Sequence, residues 1–376
     1  LGWENRPATP VELERMKAIL AQAMEEGGVG FSTGLIYPPG MYADRTELVE
    51  LCKVTAGYGG FFVVHMRNEA DYVLDSIREV TGICLEAGCP LHISHLKVAG
   101  RRNWGRAGEV LALLDEARAQ GLEVTFDQYP YIAGSTMLDA VIPPRFHTGG
   151  TTKLLENLKD PAFREEIRQV QENIKPERWE NWVDTCGWEN VMVNAVQTEK
   201  NRFAEGKSVA EIAAETGKTP LDAVCDLLIE EDDAVTMTIF YGSEDDVKEI
   251  MQSEYMTLCS DGIVGGKPHP RVYGTCARFL GKYVREEKVL SLPQAVKRMT
   301  SLPAQRLGLQ DRGLIREGMV ADITIFDAEA VREKGTFAEP NRYPEGIAHV
   351  LVAGRVALEK GKLTGVRAGR ALRRRN

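Results

Sequence analysis

The chain has 376 residues, of which 43% are hydrophobic and 27% charged, an ordinary balance for a globular protein. That length suits one large α/β barrel with a small partner domain. The net charge of −9 argues against a nucleic-acid partner. No run of about eighteen apolar residues is present, so no membrane span is expected. The seven cysteines include no C-x-x-C pair, which favours reduced thiols and a cytoplasmic setting over a disulfide framework.

The first predicted element is a helix from Pro10 to about Glu26, opened by a Thr9 cap and a proline at its first position. Helical spacing recurs at Leu48, Leu51, Cys52 and Thr55, at Val73, Ile77, Val80 and Cys84, and at Val110, Leu111, Leu114 and Ala117. Short apolar runs lie between these helices: Gly28–Ser32, Phe61–Val64, Leu91–Ser94 and Leu122–Phe126. Buried strands alternating with amphipathic helices predict a parallel sheet of βα units. Each run ends in polar residues, namely Ser32-Thr33-Gly34, His65, His95 and Asp127-Gln128-Tyr129, and a later strand, Met256–Ser260, ends in Asp261. Polar residues at the ends of consecutive strands favour a TIM-type (β/α)8 barrel over an open doubly wound sheet, whose chemistry sits near one switch point.

The stretch from Pro130 to Tyr255 is too long for one βα unit. It is read as an insertion between the last two barrel strands, either a cover over the site or a stabilising elaboration. Its expected pieces are helices over Pro161–Asn173, Val209–Glu215 and Pro220–Glu231, with an apolar segment at Val191–Val196. The barrel is thus assigned to residues 1–308. Segments at Asp322–Phe326 and Ile347–Val356 that alternate or run apolar, with Gly313, Gly318 and Gly354 at turns, assign residues 309–376 to a small β-sandwich domain with a basic tail.

His65 and His95 end consecutive strands one βα repeat apart, so they are expected side by side on the rim. Two imidazoles on rigid strands make half of a zinc site, and Asp261 supplies a carboxylate that can bind metal or take a proton. His92, three residues before His95, is expected on the opposite face as a structural residue. Of the remaining histidines, only His269 is near enough in sequence to Asp261 to reach the site.

Several motifs carry a resemblance. They are Gly30 through Gly40 (GFSTGLIYPPG), His65-Met66-Arg67-Asn68-Glu69, Ile93-Ser94-His95-Leu96-Lys97, Asp127-Gln128-Tyr129-Pro130-Tyr131, Ser260-Asp261-Gly262 and Lys267 through Arg271 (KPHPR). The closing Pro303 through Leu309 (PAQRLGL) and Arg312-Gly313 belong with them. In order and spacing, the chain from about Arg6 onward resembles the D-aminoacylase branch of the metal-dependent amidohydrolases.

The resemblance implies zinc-dependent hydrolysis of N-acyl-D-amino acids. The positions matching His65 and His95 would hold a tight zinc site, and Asp261 would be the catalytic acid/base. A cysteine from an early strand would join the tight site, and a His-x-His pair would line a second, weaker metal position. Neither feature is present, and both would lie upstream of Leu1. Cys259 is not taken as a replacement, because Asp261 is expected to hold the inward position at that strand end. Lys97 is the first choice for the substrate carboxylate, with Tyr37, Tyr129, Ser135 and Arg271 as further substrate contacts. On this reading the chain by itself is an open barrel of about five strands, with edges at the Gly28 and Asp261 strands, poorly soluble and inactive. The alternatives are hydrolysis of a cyclic amide, as in hydantoinases and dihydroorotases, or a non-catalytic fragment. Oligomeric state is not legible.

Overall fold

The computed structural model describes residues 1–173 and 179–374. Helix α1 (Pro10–Glu25) begins in a reciprocal capping box between Thr9 and Glu12, with Pro10 supplying a pre-set backbone angle. It leads into β1 (Gly30–Gly34), α2 (Arg45–Gly57), β2 (Phe61–His65), α3 (Val73–Ala87), β3 (Leu91–Ile93), α4 (Ala107–Ala119) and β4 (Val124–Gln128). The chain then leaves the parallel sheet for β5 (Ala133–Met137), α5 (Gly150–Asn157), α6 (Pro161–Glu172), α7 (Trp182–Cys186), β6 (Val191–Ala195), α8 (Val209–Thr216), α9 (Pro220–Glu230) and β7 (Thr236–Phe240). It returns through α10 (Glu244–Gln252) to β8 (Met256–Leu258). Helix α11 (Arg271–Arg278) runs on as π-helical turns over Phe279–Glu286. Helices α12 (Leu292–Met299) and α13 (Ser301–Arg306) follow, then β9 (Ile323–Phe326), β10 (Ile347–Val352), β11 (Arg355–Glu359) and β12 (Lys362–Leu363).

The parallel sheet has the order β1-β2-β3-β4-β8, so β1 and β8 each have one unpaired edge among the described residues. Its βα texture follows the apolar runs, with observed strands starting up to two residues later than the sequence suggests. Alternation decides the faces. Phe62, Val64, Leu91, Ile93, Val124 and Phe126 pack against α2, α3 and α4 in one core, leaving Val63, His65, His92, Thr125 and Asp127 for the other face. Strands β1 and β2 approach so closely that a Cβ at Gly30 would lie 2.2 Å from the Phe61 carbonyl oxygen. Glycine is the residue that fits there.

The excursion between β4 and β8 forms a second body with its own core, including Val193, Ile212, Leu221, Leu228, Met237 and Ile239. Its antiparallel sheet runs β5-β7-β6. The helices expected here are present, as is the apolar segment that becomes β6. Strands β5 and β7 were not foreseen; in β5, Ala133-Gly134-Ser135 carries no apolar alternation. Helix α10 packs against α4 and β8, alongside the parallel sheet. Its Asp246 carboxylate accepts the amides of Gly105 and Ala107 at the start of α4. That carboxylate satisfies donors that a helix start leaves unpaired.

After α13 the chain forms an antiparallel sheet of order β12-β11-β10-β9. The run Ile347–Val356 folds back on itself at the turn expected from Gly354. Ala353 (φ 49°) and Gly354 (φ 76°) both adopt left-handed angles and close a tight hairpin between β10 and β11. This sheet leaves apolar side chains in solvent, with Ile325 49% and Leu363 77% exposed. All seven cysteines are unpaired. No helix among the described residues is long and apolar enough to cross a membrane.

The second body also contains carboxylates that are costly to ionise. Burial, reinforced by Asp139, raises the Asp233 carboxyl to about 7, and burial raises that of Asp139 to about 6. Unfolded, both sit near 3.8. The folded state therefore holds protons that the unfolded chain has released. This contribution is full below pH 3.8 and is lost as pH rises through about 6 to 7. Asp233→Asn, which tolerates the left-handed backbone at this position, is expected to raise Tm by roughly 2–4 °C at pH 8 and by less at pH 5. Thermal unfolding at the two pH values checks this, and a lower Tm at pH 8 would contradict it.

Candidate metal centre and substrate cavity

His65 is the last residue of β2, and His95 lies two residues beyond β3. Their rings meet edge to face with centroids 4.4 Å apart. The convergence expected from one βα repeat is therefore present. The third member of the group is Glu69, which the sequence reading did not select. One donor atom from each of His65, Glu69 and His95 lies within 4.8 Å of the others. His65 Nε2 is 3.5 Å from Glu69 Oε2, and His95 Nδ1 is 3.3 Å from Glu69 Oε1. Glu69 stands four residues after His65 in the loop before α3, and a strand-end histidine followed by a nearby acid was the signal available for it.

The cluster is buried, and charge balance governs it. Burial pushes the Glu69 carboxyl up, but the charge of Lys97 and the two imidazoles outweigh it and hold the group well below the usual carboxylate range. Lys97 is its counterpart: burial lowers the ammonium, and Glu69 pulls it back above the ordinary lysine value. Lys97 Nζ donates to Glu69 Oε2 at 2.7 Å and to His95 Nδ1 at 2.7 Å. Burial drives the His65 imidazole well below its usual value against the opposing pull of Glu69, which favours its neutral form. Neutral imidazole is the form that ligates metal.

Two buried atoms of this cluster, His65 Nε2 and Glu69 Oε1, have no hydrogen-bond partner. Unpaired buried polar atoms are costly. A divalent cation between two imidazoles and a carboxylate would satisfy both, so this donor set fits a zinc-type metal.

Asp261 lies three residues beyond β8, with a left-handed backbone (φ 46°). Its Oδ2 is 2.9 Å from Arg271 Nη2, and the carboxylate is 40% exposed. It borders the cavities on either side of the histidines but does not belong to the converging donor trio. One cavity, of about 480 Å³, opens on the inner face of the parallel sheet and is lined by Ser32, Thr33, His65, His95, Asp127, Cys259 and Asp261. The other, of about 250 Å³, lies toward the second body and is lined by Tyr37, Lys97, Tyr129, Ser135, Trp182 and Ile239 around the same histidines. The excursion thus supplies one wall of the site.

The remaining candidates divide by what already holds them. The Tyr37 hydroxyl is 2.8 Å from Thr136 Oγ1, and its ring packs beside His65. The Tyr129 hydroxyl meets that of Tyr241 at 2.5 Å, while Lys97 and Arg271 lie near its ring. Ser135 Oγ accepts from Asn194 Nδ2 at 3.1 Å. Arg271 is fully buried and donates to the Ser135 carbonyl at 3.0 Å as well as pairing with Asp261. His269 does not reach the cluster. Its ring spans the Ala133 carbonyl and the Arg271 amide, fixing the approach of β5 to α11.

Two expectations about facing are overturned. His92 was expected on the face opposite His95, but β3 ends at Ile93 and His95 turns through φ 41°. Both residues now meet Asp127: His92 Nε2 lies 3.0 Å from Oδ2, and the His95 amide donates to Oδ1 at 2.5 Å. Burial pushes Asp127 up, but the bond and charge of His92 and the His95 amide hold it below the usual range. Cys259 was set aside as facing away, yet it lines the inner cavity with Asp127 and Asp261. The chain has left β8 at Leu258, so strand alternation no longer decides which way Cys259 and Asp261 face.

These features define an α/β protein of amidohydrolase-like fold, with a buried histidine–carboxylate cluster at the ends of its parallel strands. An "Amidohydrolase family" model matches residues 184–358. The chain is 36% identical over 364 residues to an N-acyl-D-glutamate deacylase of Alcaligenes xylosoxydans xylosoxydans, covering 96% of this chain and 64% of that protein. It is 33% identical over 371 residues to a D-aminoacylase of the same organism, covering 98% and 66%. The crystal structure of an N-acyl-D-glutamate deacylase from Bordetella bronchiseptica, complexed with zinc and a phosphonate mimic of the tetrahedral intermediate, superposes with a TM-score of 0.81 at 34% identity, covering 98% of this chain and 67% of that one. The chain belongs to the D-aminoacylase family of the metal-dependent amidohydrolases. It spans about two thirds of the length of these relatives.

Lys97→Met would leave Glu69 buried with no ammonium partner. Breaking a buried pair from one side costs about 3–5 kcal/mol. Urea unfolding of the metal-free protein is expected to show a loss of that size, and an unchanged midpoint would show that the pair does not hold the cluster.

Proposed function

We propose that the protein containing this chain is a zinc-dependent amidohydrolase that cleaves the amide bond of N-acyl-D-amino acids, giving a carboxylate and a free D-amino acid. The observation that carries the proposal is the convergence of His65, Glu69 and His95, with unpaired donor atoms, in a cavity bordered by Asp261. Relatives bearing the names N-acyl-D-glutamate deacylase and D-aminoacylase support the substrate class. His65 and His95, with Glu69 at hand, would hold the tight zinc; a second, weaker metal position would adjoin it. Zinc, when bound, supplies Lewis acidity at the acyl carbonyl and toward water.

The residues of this chain do the remaining work. Asp261, held at one oxygen by Arg271, is assigned to accept the proton of the attacking water at its other oxygen and to return it to the leaving nitrogen. Protonation there is required, because an amine anion is too poor a leaving group. Asp261, on the rim of both cavities, is also assigned as a further metal ligand. Lys97 is assigned to the substrate α-carboxylate: Glu69 and His95 use two of its three N–H groups. Tyr37, Tyr129 and Ser135 line the same cavity and are assigned to orient the substrate, with Arg271 behind them.

The five parallel strands are further assigned to a (β/α)8 barrel, and the antiparallel sheet to one layer of a β-sandwich. The two unpaired edges and the exposed apolar face support this. Residues 1–308 and 309–376 are the corresponding domains. Seven unpaired cysteines favour a cytoplasmic setting.

The zinc-loaded enzyme is expected to release amine from N-acetyl-D-methionine but not from its L-enantiomer, hydantoin or dihydroorotate. Absence of amine release would exclude the proposal. Asp261→Asn is expected to keep bound zinc while kcat falls by about 10²–10⁴-fold. Zinc analysis beside steady-state kinetics checks this, and retention of a tenth of the rate would remove Asp261 from the proton transfer.

A further inference from the structure

The backbone of His95 is, with that of Asp261, the least ordinary in the site. Strand β3 stops at Ile93, and His95 adopts φ 41°, in a region that side-chain-bearing residues rarely enter. Something must hold the chain there. Strand β4 supplies it through one residue. The Asp127 carbonyl accepts the amide of Leu96 at 2.8 Å, and its carboxylate Oδ1 accepts the amide of His95 at 2.5 Å. Two consecutive amides of the turn therefore end on Asp127. The carboxylate is itself anchored from behind. Its Oδ2 takes His92 Nε2 at 3.0 Å, and His92 Nδ1 meets Thr125 Oγ1 at 2.7 Å. With the Nε2 proton on His92, the Thr125 hydroxyl donates to Nδ1, and the chain Thr125–His92–Asp127–His95 is fully satisfied.

We propose that Asp127 is the positioning residue for His95, and that His92 locks Asp127, so that the ligand imidazole is presented in one orientation. This rests on the reading of His95 as a metal ligand. Asp127 borders the inner cavity, but its carboxylate lies outside the converging His65–Glu69–His95 trio. Its oxygens hold the His95 amide and His92, with the Cys259 thiol as a further hydrogen-bond partner, which is the arrangement of a brace. Supporting groups around metal ligands act by fixing the ligand's direction. Here the brace grips the backbone rather than the ring, because the ring's Nδ1 is already occupied by Lys97.

The test uses the full-length enzyme and zinc alone as the probe. Asp127→Ala is expected to weaken zinc affinity by about 10–100-fold. Asp127→Asn keeps an acceptor for the His95 amide, and His92 can switch tautomer to receive the new NH₂ group. It should stay within about 5-fold of wild type, because the brace needs an acceptor and not a charge. His92→Phe should fall between the two, and adding it to Asp127→Ala should cost little more, as expected for residues acting in series. Asn as damaging as Ala would show that the charge itself is needed, as for a ligand or base, and would overturn the proposal. So would Asp127→Ala within about 3-fold of wild type, against the loss expected for a supporting residue.

A metal-independent measurement separates this proposal from the functional reading. Hydrogen exchange at the His95 amide should speed up at least about tenfold in Asp127→Ala and His92→Phe but not in Asp127→Asn. If wild-type protein bound no zinc, the functional reading would fail, and this exchange pattern would still decide whether Asp127 holds the turn. If Asp127→Ala did not fold, the Asn and His92→Phe variants would carry the comparison.

Discussion

A carboxylate with no access to water must be surrounded by compensation, and at Glu69 that compensation is the site. Its two oxygens face Lys97, His65 and His95, and its amide donates to Glu180 Oε2 at 2.5 Å. Placing that single negative charge under the strand ends draws in an ammonium and two imidazoles, which come from two segments of the chain, the end of β2 and the turn after β3. A second carboxyl behind it reports the same pressure. Burial, with the charge of Glu69 adding to it, raises Glu180 to about 8. The cluster is therefore held by electrostatic necessity as well as by packing, and its unpaired atoms leave room for one more positive centre.

Around this charge two bodies with separate cores meet. The parallel sheet, packed on one face by α2, α3 and α4, carries His65 on the end of β2 and the turn that presents His95 just beyond β3. The second body has its own core, so it can present Ser135, Trp182 and Ile239 to the cavity without borrowing stability from the sheet. Arg271 joins the two. It is buried beside Tyr129, bonds the β5 carbonyl of Ser135 and holds the Asp261 carboxylate. Asp261 and His95 share left-handed backbone angles just beyond their strands. Such conformations persist where surroundings over-determine them, and both lie at the site.

Local pattern suffices where the forces act over a few residues. Thr9-Pro10, Thr219-Pro220 and the apolar runs fix helix starts and strands because caps and burial act over a few residues. The pairing of His65 with His95 followed from a βα period that places consecutive strand ends together. Periodicity failed where the chain left regular structure. The turn at His95 put His92 on the same side as its neighbour.

What the sequence determined by itself was the alternation of strands and helices, the position of the chemistry at strand ends, and the His65, His95 and Asp261 candidates. These depend on spacing, which is local and periodic. Only the tertiary structure decided that Glu69 completes the converging donor set, that Lys97 is bound to it, that Asp127 braces His95, and that β5, β7 and Trp182 come to the cavity. Those facts depend on which segments pack together and on how a buried charge is neutralised, and neither is carried by the order of residues along any one element.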